Sequence, residues 1–273
     1  MSLFFDTSKI VWDEFGGLEP PQEEWRTQFA YWEDYVRKFF ASNGMPFDAG
    51  DSNVESWLMA TDRAPFAAMV AELVPRLGDV AGTEAILFAH WLPDLHLGTS
   101  VTNFAMHALG LRDCFGFAIS DRGLSAPFFA FDSLHKYLGV SGKRGLLIVA
   151  DQKHVMYKSD LVARLNPKNA ACILVLDTAN TTGMRYAGYT RVVADDGAAA
   201  ILSTFGFEAA QTRLIGPKDL IGDAVDAVAT DERLVCTAPF AALGATDRPD
   251  LNHVLLCHDG DRITALGFAG VQP

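Results

Sequence analysis

Apolar residues near the start of the chain follow the spacing of an amphipathic helix. In residues 21–40 (PQEEWRTQFAYWEDYVRKFF) they recur every three or four positions and form one stripe. Pro21 suits the first turn, and the glutamates after it complement the positive end of the helix dipole. Arg37 and Lys38 complement the other end. The pattern predicts a helix whose aromatic stripe packs against a core.

From about residue 62 the pattern changes to alternating helices and strands. Helices are predicted at 64–77, 99–109 and 125–138, and strands at 84–90, 114–120, 145–150 and 170–178. Gly110 and Gly139 are predicted to end the second and third of these helices. The strands are short, continuous apolar runs, which is typical of a parallel sheet with helices on both faces. The order predicts an α/β fold.

The last third of the chain is less regular. We predict a strand at 186–194, a helix at 217–229 and a short strand at 234–237. Residues 253–270 (HVLLCHDGDRITALGFAG) contain two apolar runs joined at Asp259-Gly260, a strong hairpin signal. Both parts of the chain would then end in a pair of strands. We therefore expect two related halves, 1–178 and 179–273.

The run from residue 84, EAILFAHWLPDLHLGTSVTNFAMHALGLRDCFGFAISDRGLSAPFFAF, has a distinctive order of elements. A strand is followed by a loop with a proline, a helix ending in Leu-Gly-Leu, and a strand that leads into another helix. With GKRGLLIVADQ and AACILVLDTA after it, this region (84–178) resembles the N-terminal half of type III ketosynthases and, more broadly, of the thiolase superfamily. The resemblance implies a layered thiolase-like fold with mixed, mostly parallel sheets and a shortened C-terminal half.

The catalytic residues of that family are not matched. The family uses a cysteine at the start of the buried helix after the third strand, where the helix N-terminus lowers the thiol pKa. Alignment of AISDRGLSA with this motif puts Gly123 at the nucleophile position, and glycine cannot form an acyl-enzyme. No His-x-x-Asn sequence, which the family uses to polarise the thioester, follows Asp177. The resemblance therefore implies a degenerate relative that does not perform decarboxylative condensation.

Three polar residues could replace the missing chemistry. Ser125 is a candidate nucleophile, His258 a candidate general base, and Asp121 a further candidate catalytic group beside Gly123. Each also has a structural alternative: a helix N-cap for Ser125, a turn former for Asp121 and a surface-turn histidine for His258.

The loop HWLPDLH follows the strand at 84–90 and contains His90, Trp91 and His96. In α/β sheets such loops line the ligand crevice. We therefore expect these three residues to bind substrate, together with Gly123 and Gly260. A metal site from His90 and His96 is disfavoured, because no acidic or thiol ligand stands at motif spacing.

The composition of the chain limits which partners and cofactors are expected. With 49% apolar and 21% charged residues the chain is typical of a globular protein, and its net charge of −12 argues against nucleic acid. The four cysteines form no CxxC pair, and no glycine-rich phosphate loop occurs, so no metal or cofactor is expected. No secretory signal and no apolar run of about 20 residues is present, so we expect a cytoplasmic protein without a membrane partner.

Two functions remain open. The first is a non-decarboxylating acyltransferase or thioesterase-like enzyme of a fatty-acid or polyketide-type biosynthetic pathway, which uses acyl-CoA or acyl carrier protein. A basic patch of Lys136, Lys143 and Arg144 could dock the carrier protein. The second is a catalytically silent subunit that pairs with a thiolase-fold protein as a homodimer or heterodimer. An enclosed acyl pocket with His258 pointing at Ser125 would favour the enzyme. A filled crevice with a large apolar surface would favour the silent subunit.

Overall fold

A computed structural model of the chain describes residues 2–141, 144–178, 183–194, 197–222, 224 and 226–270. Within these ranges the strands are β1 (Phe4–Phe5), β2 (Val11–Phe15), β3 (Thr83–Ala89), β4 (Phe115–Ile119), β5 (Arg144–Asp151), β6 (Asn169–Asp177), β7 (Met184–Val193), β8 (Thr212–Gly216), β9 (Ala227–Ala229), β10 (Asn252–Asp259) and β11 (Arg262–Ala269). The α-helices are α1 (Phe29–Ser42), α2 (Val54–Met59), α3 (Phe66–Leu73), α4 (Val101–Ala108), α5 (Ala126–Ser141), α6 (Asp160–Leu165), α7 (Gly197–Phe205), α8 (Lys218–Ile221) and α9 (Ala238–Gly244).

The strands form one mixed sheet in the order β4-β3-β5-β6-β1-β7-β11-β10-β8-β9, with β2 beside β6. Strand β3 pairs in parallel with β4 and β5, and β8 pairs in parallel with β9 and β10. The remaining pairs, at the centre of the sheet, are antiparallel. From the centre outward, β1-β6-β5-β3-β4 and β7-β11-β10-β8-β9 have the same order and the same relative directions. The predicted α/β class with a mixed sheet is confirmed.

Helices cover both faces of each set of strands, because alternate side chains of a strand point to opposite faces. In β5, Leu147 and Val149 pack with α5, whereas Leu146 and Ile148 pack with α3 and α4. In β10, Leu255 packs in the same core cluster as α5 and α9, whereas the neighbouring valine and leucine pack with α7 and α8. Helices α5 and α9 thus share the central layer, between the two sets of strands.

The two sets of strands also share local sequence where their central helices begin. Residues 125–131 are SAPFFAF and residues 237–243 are TAPFAAL, at the starts of α5 and α9. Helix α5 has 16 residues and α9 has seven, so the second of these two helices is the shorter one. We refer to the strands β1–β6 with their helices as the first half and to the rest as the second half. The division at residue 178 stays a prediction, and residues 179–182 lie outside the described ranges.

Most predicted elements of the first half are present. The aromatic stripe of 21–40 lies on a short 3₁₀ helix followed by α1, and it packs against α2. Ser100 caps α4 by accepting a hydrogen bond from the Asn103 amide, and Gly110 follows that helix at φ +66°. One helix end is wrong: α5 continues through Gly139 to Ser141, because the glycine is held within a helix whose inner face is buried in the core.

Two predictions in the second half are wrong. The helix expected at 217–229 is the four-residue α8, which ends before Gly222, and the strand β9 follows it. The strand expected at 234–237 belongs to a 3₁₀ turn that leads into α9. Helix α7 and strand β8 were not predicted from the sequence. The predicted hairpin is confirmed as β10 and β11, with Gly260 in its turn at φ +65°.

Strand β1 joins the two halves although it has only two residues. Phe4 pairs with Asp177 of β6 on one side and with Arg185 of β7 on the other. The Phe5 ring packs edge-on against Phe131 of α5 and Phe268 of β11, at 5.9 and 5.0 Å between ring centroids. Strand β1 therefore connects the two halves of the sheet and contributes a side chain to the core between them.

Candidate functional site

Gly123 lies in a tight turn between β4 and α5. It is the first residue of the 3₁₀ turn Gly123–Ser125 and has φ +55°, in the left-handed region that favours glycine. A Cβ atom built at this position would meet no other atom within 4 Å. The position that the resemblance assigns to the nucleophile thus has room for a side chain and carries none.

The second half repeats this turn before α9. Val235 precedes Ala238 by three residues, as Gly123 precedes Ala126, and it has φ 53° and ψ −123°. A buried β-branched residue in this conformation stores about 1–3 kcal/mol of strain, and such residues cluster at functional sites. We call the two turns the first elbow (Gly123–Ser125) and the second elbow (Val235–Thr237).

The two elbows contact each other through Cys236. Its Sγ lies 3.7 Å from the carbonyl oxygen of Gly123. Burial, followed by the negative charge of Asp151, raises the pKa of the Cys236 thiol well above its ordinary value, and the residue is 1% exposed. Since the thiolate is the reactive form of cysteine, this thiol is not an activated nucleophile.

Asp151, at the end of β5, links the second elbow to the loop after β3. One oxygen, Oδ1, accepts the amides of Trp91 and Leu92 at 2.9 and 2.7 Å, and Oδ2 accepts the amide of Cys236 at 3.1 Å. Burial raises the pKa of this carboxyl to about 6, although the three amides act in the opposite direction. The predicted substrate residue Trp91 is therefore fixed by its backbone, and its side chain packs on the core.

Ser125 and Asp121, two of the predicted catalytic residues, occupy different environments. Ser125 is 1% exposed, and its hydroxyl donates to the carbonyl oxygen of Arg122 at 2.8 Å. This bond stabilises the turn and differs from that of an N-cap, where the side chain accepts from an amide. The Asp121 side chain is 80% exposed and lies beside Arg122.

His258, the predicted base, lies at the end of β10 and is hydrogen-bonded to a residue that the sequence did not indicate. Its Nε2 lies 2.8 Å from Oδ2 of Asp219, at the start of α8. Among the described residues, no hydrogen bond joins His258 to Ser125. Gly260, in the turn after His258, is exposed.

A small crevice separates the first elbow from β10. Its volume is about 40 Å³, and its lining is mostly apolar, including Leu124, Pro217, Val235, Leu256 and Cys257, with His258 at one side. We call it the junction crevice. Sites for small molecules usually measure about 300–1,000 Å³. The junction crevice is much smaller than this, because the side chains that line it occupy most of the space.

A larger cavity lies beside the loop after β3, and both His90 and His96 line it. Its volume is about 410 Å³, and we call it the β3 cavity. The His90 ring stacks on Phe88, and Nδ1 donates to the carbonyl oxygen of Leu92 at 2.7 Å. Burial lowers the pKa of His90, which favours the neutral ring. His96 pairs with Glu19 at 2.7 Å, and neither Trp91, Gly123 nor Gly260 lines this cavity.

The predicted basic patch is divided among ion pairs. Lys136 pairs with Asp132 at 2.6 Å, and Arg144 pairs with Asp79 and Asp177 at 3.3 and 3.0 Å. Lys143 lies outside the described residues. None of the helices in the described ranges has both the length and the apolarity of a membrane span.

Comparison with known proteins assigns the fold. No protein-family model matches the sequence, and no curated protein sequence matches it. A variant of OleA from Xanthomonas campestris is similar in structure, with a TM-score of 0.66 at 10% identity over 98% of this chain and 99% of that chain. OleA with bound lauric acid and lauroyl-CoA has a TM-score of 0.66 at 10% identity, over 98% of each chain. ChlB3, an acyltransferase, has a TM-score of 0.63 at 12% identity, over 100% of this chain and 99% of that chain. The chain thus has a thiolase-like fold.

Proposed function

We propose that this protein takes part in acyl-thioester processing as a thiolase-fold subunit that forms no acyl-enzyme of its own. The observation that supports the proposal is the first elbow, where the alignment puts Gly123 at the nucleophile position and the neighbouring thiol of Cys236 is buried and not activated. Fold analogy supports the substrate class: OleA binds lauroyl-CoA and ChlB3 is an acyltransferase. The substrate would be an acyl group on coenzyme A or on acyl carrier protein.

The filled junction crevice favours a silent subunit over an acyltransferase. A space of about 40 Å³ holds little more than a water molecule. Ser125 is engaged with Arg122 and His258 with Asp219, so the two residues do not form a nucleophile–base pair. Direct acyl transfer without a nucleophile, by positioning alone, stays a prediction.

The exposed edge of the sheet supports pairing with a second thiolase-fold chain, identical or different. Strand β4 ends the strand order, so one row of its backbone groups is unpaired within the described residues. Phe115 and Phe117 on this strand and Tyr137 on α5 are 51%, 40% and 42% exposed. An open edge beside exposed aromatic rings is typical of an interface. The proposal also includes a cytoplasmic location, which is consistent with four free cysteines.

The test restores the missing side chain. Wild type, Gly123→Cys and Gly139→Cys are incubated with lauroyl-CoA, acetyl-CoA and acyl carrier thioesters, and intact masses are measured. Gly139 lies near the other end of the same helix, where no helix N-terminus activates a thiol, and a Cβ there also meets no atom within 4 Å. We expect an acetyl adduct on Gly123→Cys alone, because a junction crevice of about 40 Å³ leaves no room for a lauroyl chain. An adduct on the wild type would refute the silent role, and no adduct on Gly123→Cys would remove the support for a thioester at this elbow.

Pairing is tested separately by sedimentation. Phe115→Glu introduces a charge at the β4 edge, where Phe115 is 51% exposed, and Tyr31→Glu introduces the same charge on α1, where Tyr31 is 65% exposed. We expect only Phe115→Glu to shift the protein, or its complex with a thiolase-fold partner, to monomer. Equal behaviour of both variants would argue against an interface at β4.

A further inference from the structure

The β3 cavity lies apart from both elbows and contains an unusual carboxylate. Asp94 lines it from the loop after β3, and its Oδ1 accepts the amides of Phe66 and Leu95 at 2.9 and 2.7 Å. The other oxygen, Oδ2, is buried and has no hydrogen-bond partner among the residues that the structure describes. An unpaired buried acceptor destabilises the folded state, so a group that donates to it would stabilise the protein.

A second acceptor lies on the same cavity. Because Nδ1 of His90 donates to the Leu92 carbonyl, the neutral ring has its lone pair on Nε2. Nε2 has no hydrogen-bond partner in the described parts of the chain. Burial lowers the pKa of His90 and raises that of Asp94, so both groups shift toward their neutral forms in the absence of a ligand.

The side chains that line the cavity, and its volume, indicate the shape and polarity of the rest of the ligand. Phe66, Phe88, Phe117 and Val101 supply apolar and aromatic surface, and the volume of about 410 Å³ is within the range of small-molecule sites. His90 is fixed by stacking on Phe88 and by a tilted contact with Phe66, at 4.9 and 5.2 Å between ring centroids. The cavity is thus a preformed site with two acceptors, whose walls combine this apolar surface with the polar side chains of Thr99, Ser100, Thr102 and Asn103.

We propose that the β3 cavity binds a small aromatic or short-chain molecule that carries a hydroxyl group, which donates to Asp94, or an amino group, which can donate to both Asp94 and His90. This ligand is not the acyl thioester. Its binding depends neither on Gly123 nor on whether the protein is catalytic, so the two proposals can fail independently.

The test uses four probes of one shape: phenethyl alcohol, phenethylamine, ethylbenzene and phenylacetate. Their dissociation constants for the full chain are measured by calorimetry or ligand-observed NMR. We expect the alcohol and the amine to bind about tenfold or more tightly than ethylbenzene, the value of one hydrogen bond of about 1.4 kcal/mol. Phenylacetate, which offers a second negative charge and no donor, should bind most weakly.

The matched variant is Asp94→Asn. Its Oδ1 can still accept the amides of Phe66 and Leu95, while an NH₂ group replaces Oδ2, so the fold should persist by thermal melting. The alcohol should then bind no better than ethylbenzene, and the amine should keep only the part of its advantage that His90 provides. The affinity of ethylbenzene should stay constant. Asp121→Asn, on an exposed turn away from the cavity, should change nothing. Equal affinities of all probes for the wild type, no detectable binding, or unchanged affinities in Asp94→Asn would overturn the proposal.

Discussion

The two elbows are built on one plan and differ in the residue at the bend. Each is a 3₁₀ turn that leads into a central helix through the sequence Ser/Thr-Ala-Pro-Phe, and each has a positive φ three residues before that helix. The first elbow uses glycine and the second uses valine, at φ +55° and 53°. Glycine adopts this conformation without strain and valine does not. The positive φ is therefore present in both halves, although only glycine adopts it without strain.

The strands beside the elbows show the same contrast. Strands β5 (RGLLIVAD) and β10 (NHVLLCHD) both have eight residues and end in an aspartate. Asp151 is fully buried and accepts three amides from both halves. Asp259 accepts the Thr264 hydroxyl at 2.9 Å and pairs with Arg191 at 2.7 Å, within its own half. One copy of the aspartate joins the halves, and the other stabilises only a hairpin.

The largest expected effect comes from removing these two aspartates. Asp151→Ala leaves three buried amides without an acceptor and should lower the free energy of unfolding by about 3–5 kcal/mol. Asp259→Ala loses one hydroxyl bond and a partly exposed ion pair, and should cost about 1 kcal/mol. Urea unfolding of the two variants measures the difference. Similar losses in both would remove the contrast between the halves.

The pH dependence of stability sharpens the same comparison. Burial raises the pKa of Asp151 to about 6 in the folded protein, against about 4 in an unfolded chain. The folded state therefore binds the proton more tightly, and this stabilisation is complete below about pH 4 and is lost as the pH rises through 6. The two-unit difference corresponds to about 3 kcal/mol.

Asp151→Asn is the reference for this measurement, since it lacks the titrating group. Buried His253, whose pKa is lowered to about 4, acts in the opposite direction as the pH falls, and it is common to both proteins. Urea unfolding of wild type and Asp151→Asn is measured at several pH values between 7.5 and 4. As the pH falls, the free energy of unfolding of the wild type should rise relative to that of Asp151→Asn. A constant difference would contradict the assigned pKa.

The smallest expected effect is at the bends themselves. Gly123→Val gives the first elbow the residue of the second. Because a Cβ has room there, the substitution should add only backbone strain, which lowers the free energy of unfolding by about 1–3 kcal/mol. Val235→Gly relieves that strain but removes a buried side chain, so the two effects should cancel to within about 1 kcal/mol. Equilibrium unfolding measures both. A neutral Gly123→Val would show that the first elbow does not hold its φ.

The buried strands of the first half could be predicted because each is a continuous apolar run covered on both faces. The strand predicted at 84–90 is observed at Thr83–Ala89, and the strand predicted at 145–150 is observed at Arg144–Asp151. The same rule gave the wrong answer at 234–237, where Leu-Val-Cys-Thr reads as a strand. There, contacts between the elbows and Asp151 hold Val235 at positive φ, and tertiary structure overrides the local preference of a β-branched residue.

The candidate site could be predicted only where it is continuous in sequence. Alignment around Gly123 identified the first elbow, and the loop HWLPDLH identified His90 and His96. Asp151, Asp219 and Cys236 were missed because their roles arise from contacts distant in sequence, such as the 85 residues between Asp151 and Cys236. One signal was available: the repeated Ser/Thr-Ala-Pro-Phe would have marked the second elbow as a copy of the first.

The two-residue strand β1 has a consequence for the order in which the chain can fold. Phe4 and Phe5 are synthesised long before their strand partners, which lie in β6 and β7 at Asp177, Met184 and Arg185. At about 5–20 residues per second, the ribosome needs roughly 10–40 s to reach them. During that time Phe4 and Phe5 have no strand to pair with. Their side chains therefore stay accessible to a chaperone until β6 and β7 have been synthesised.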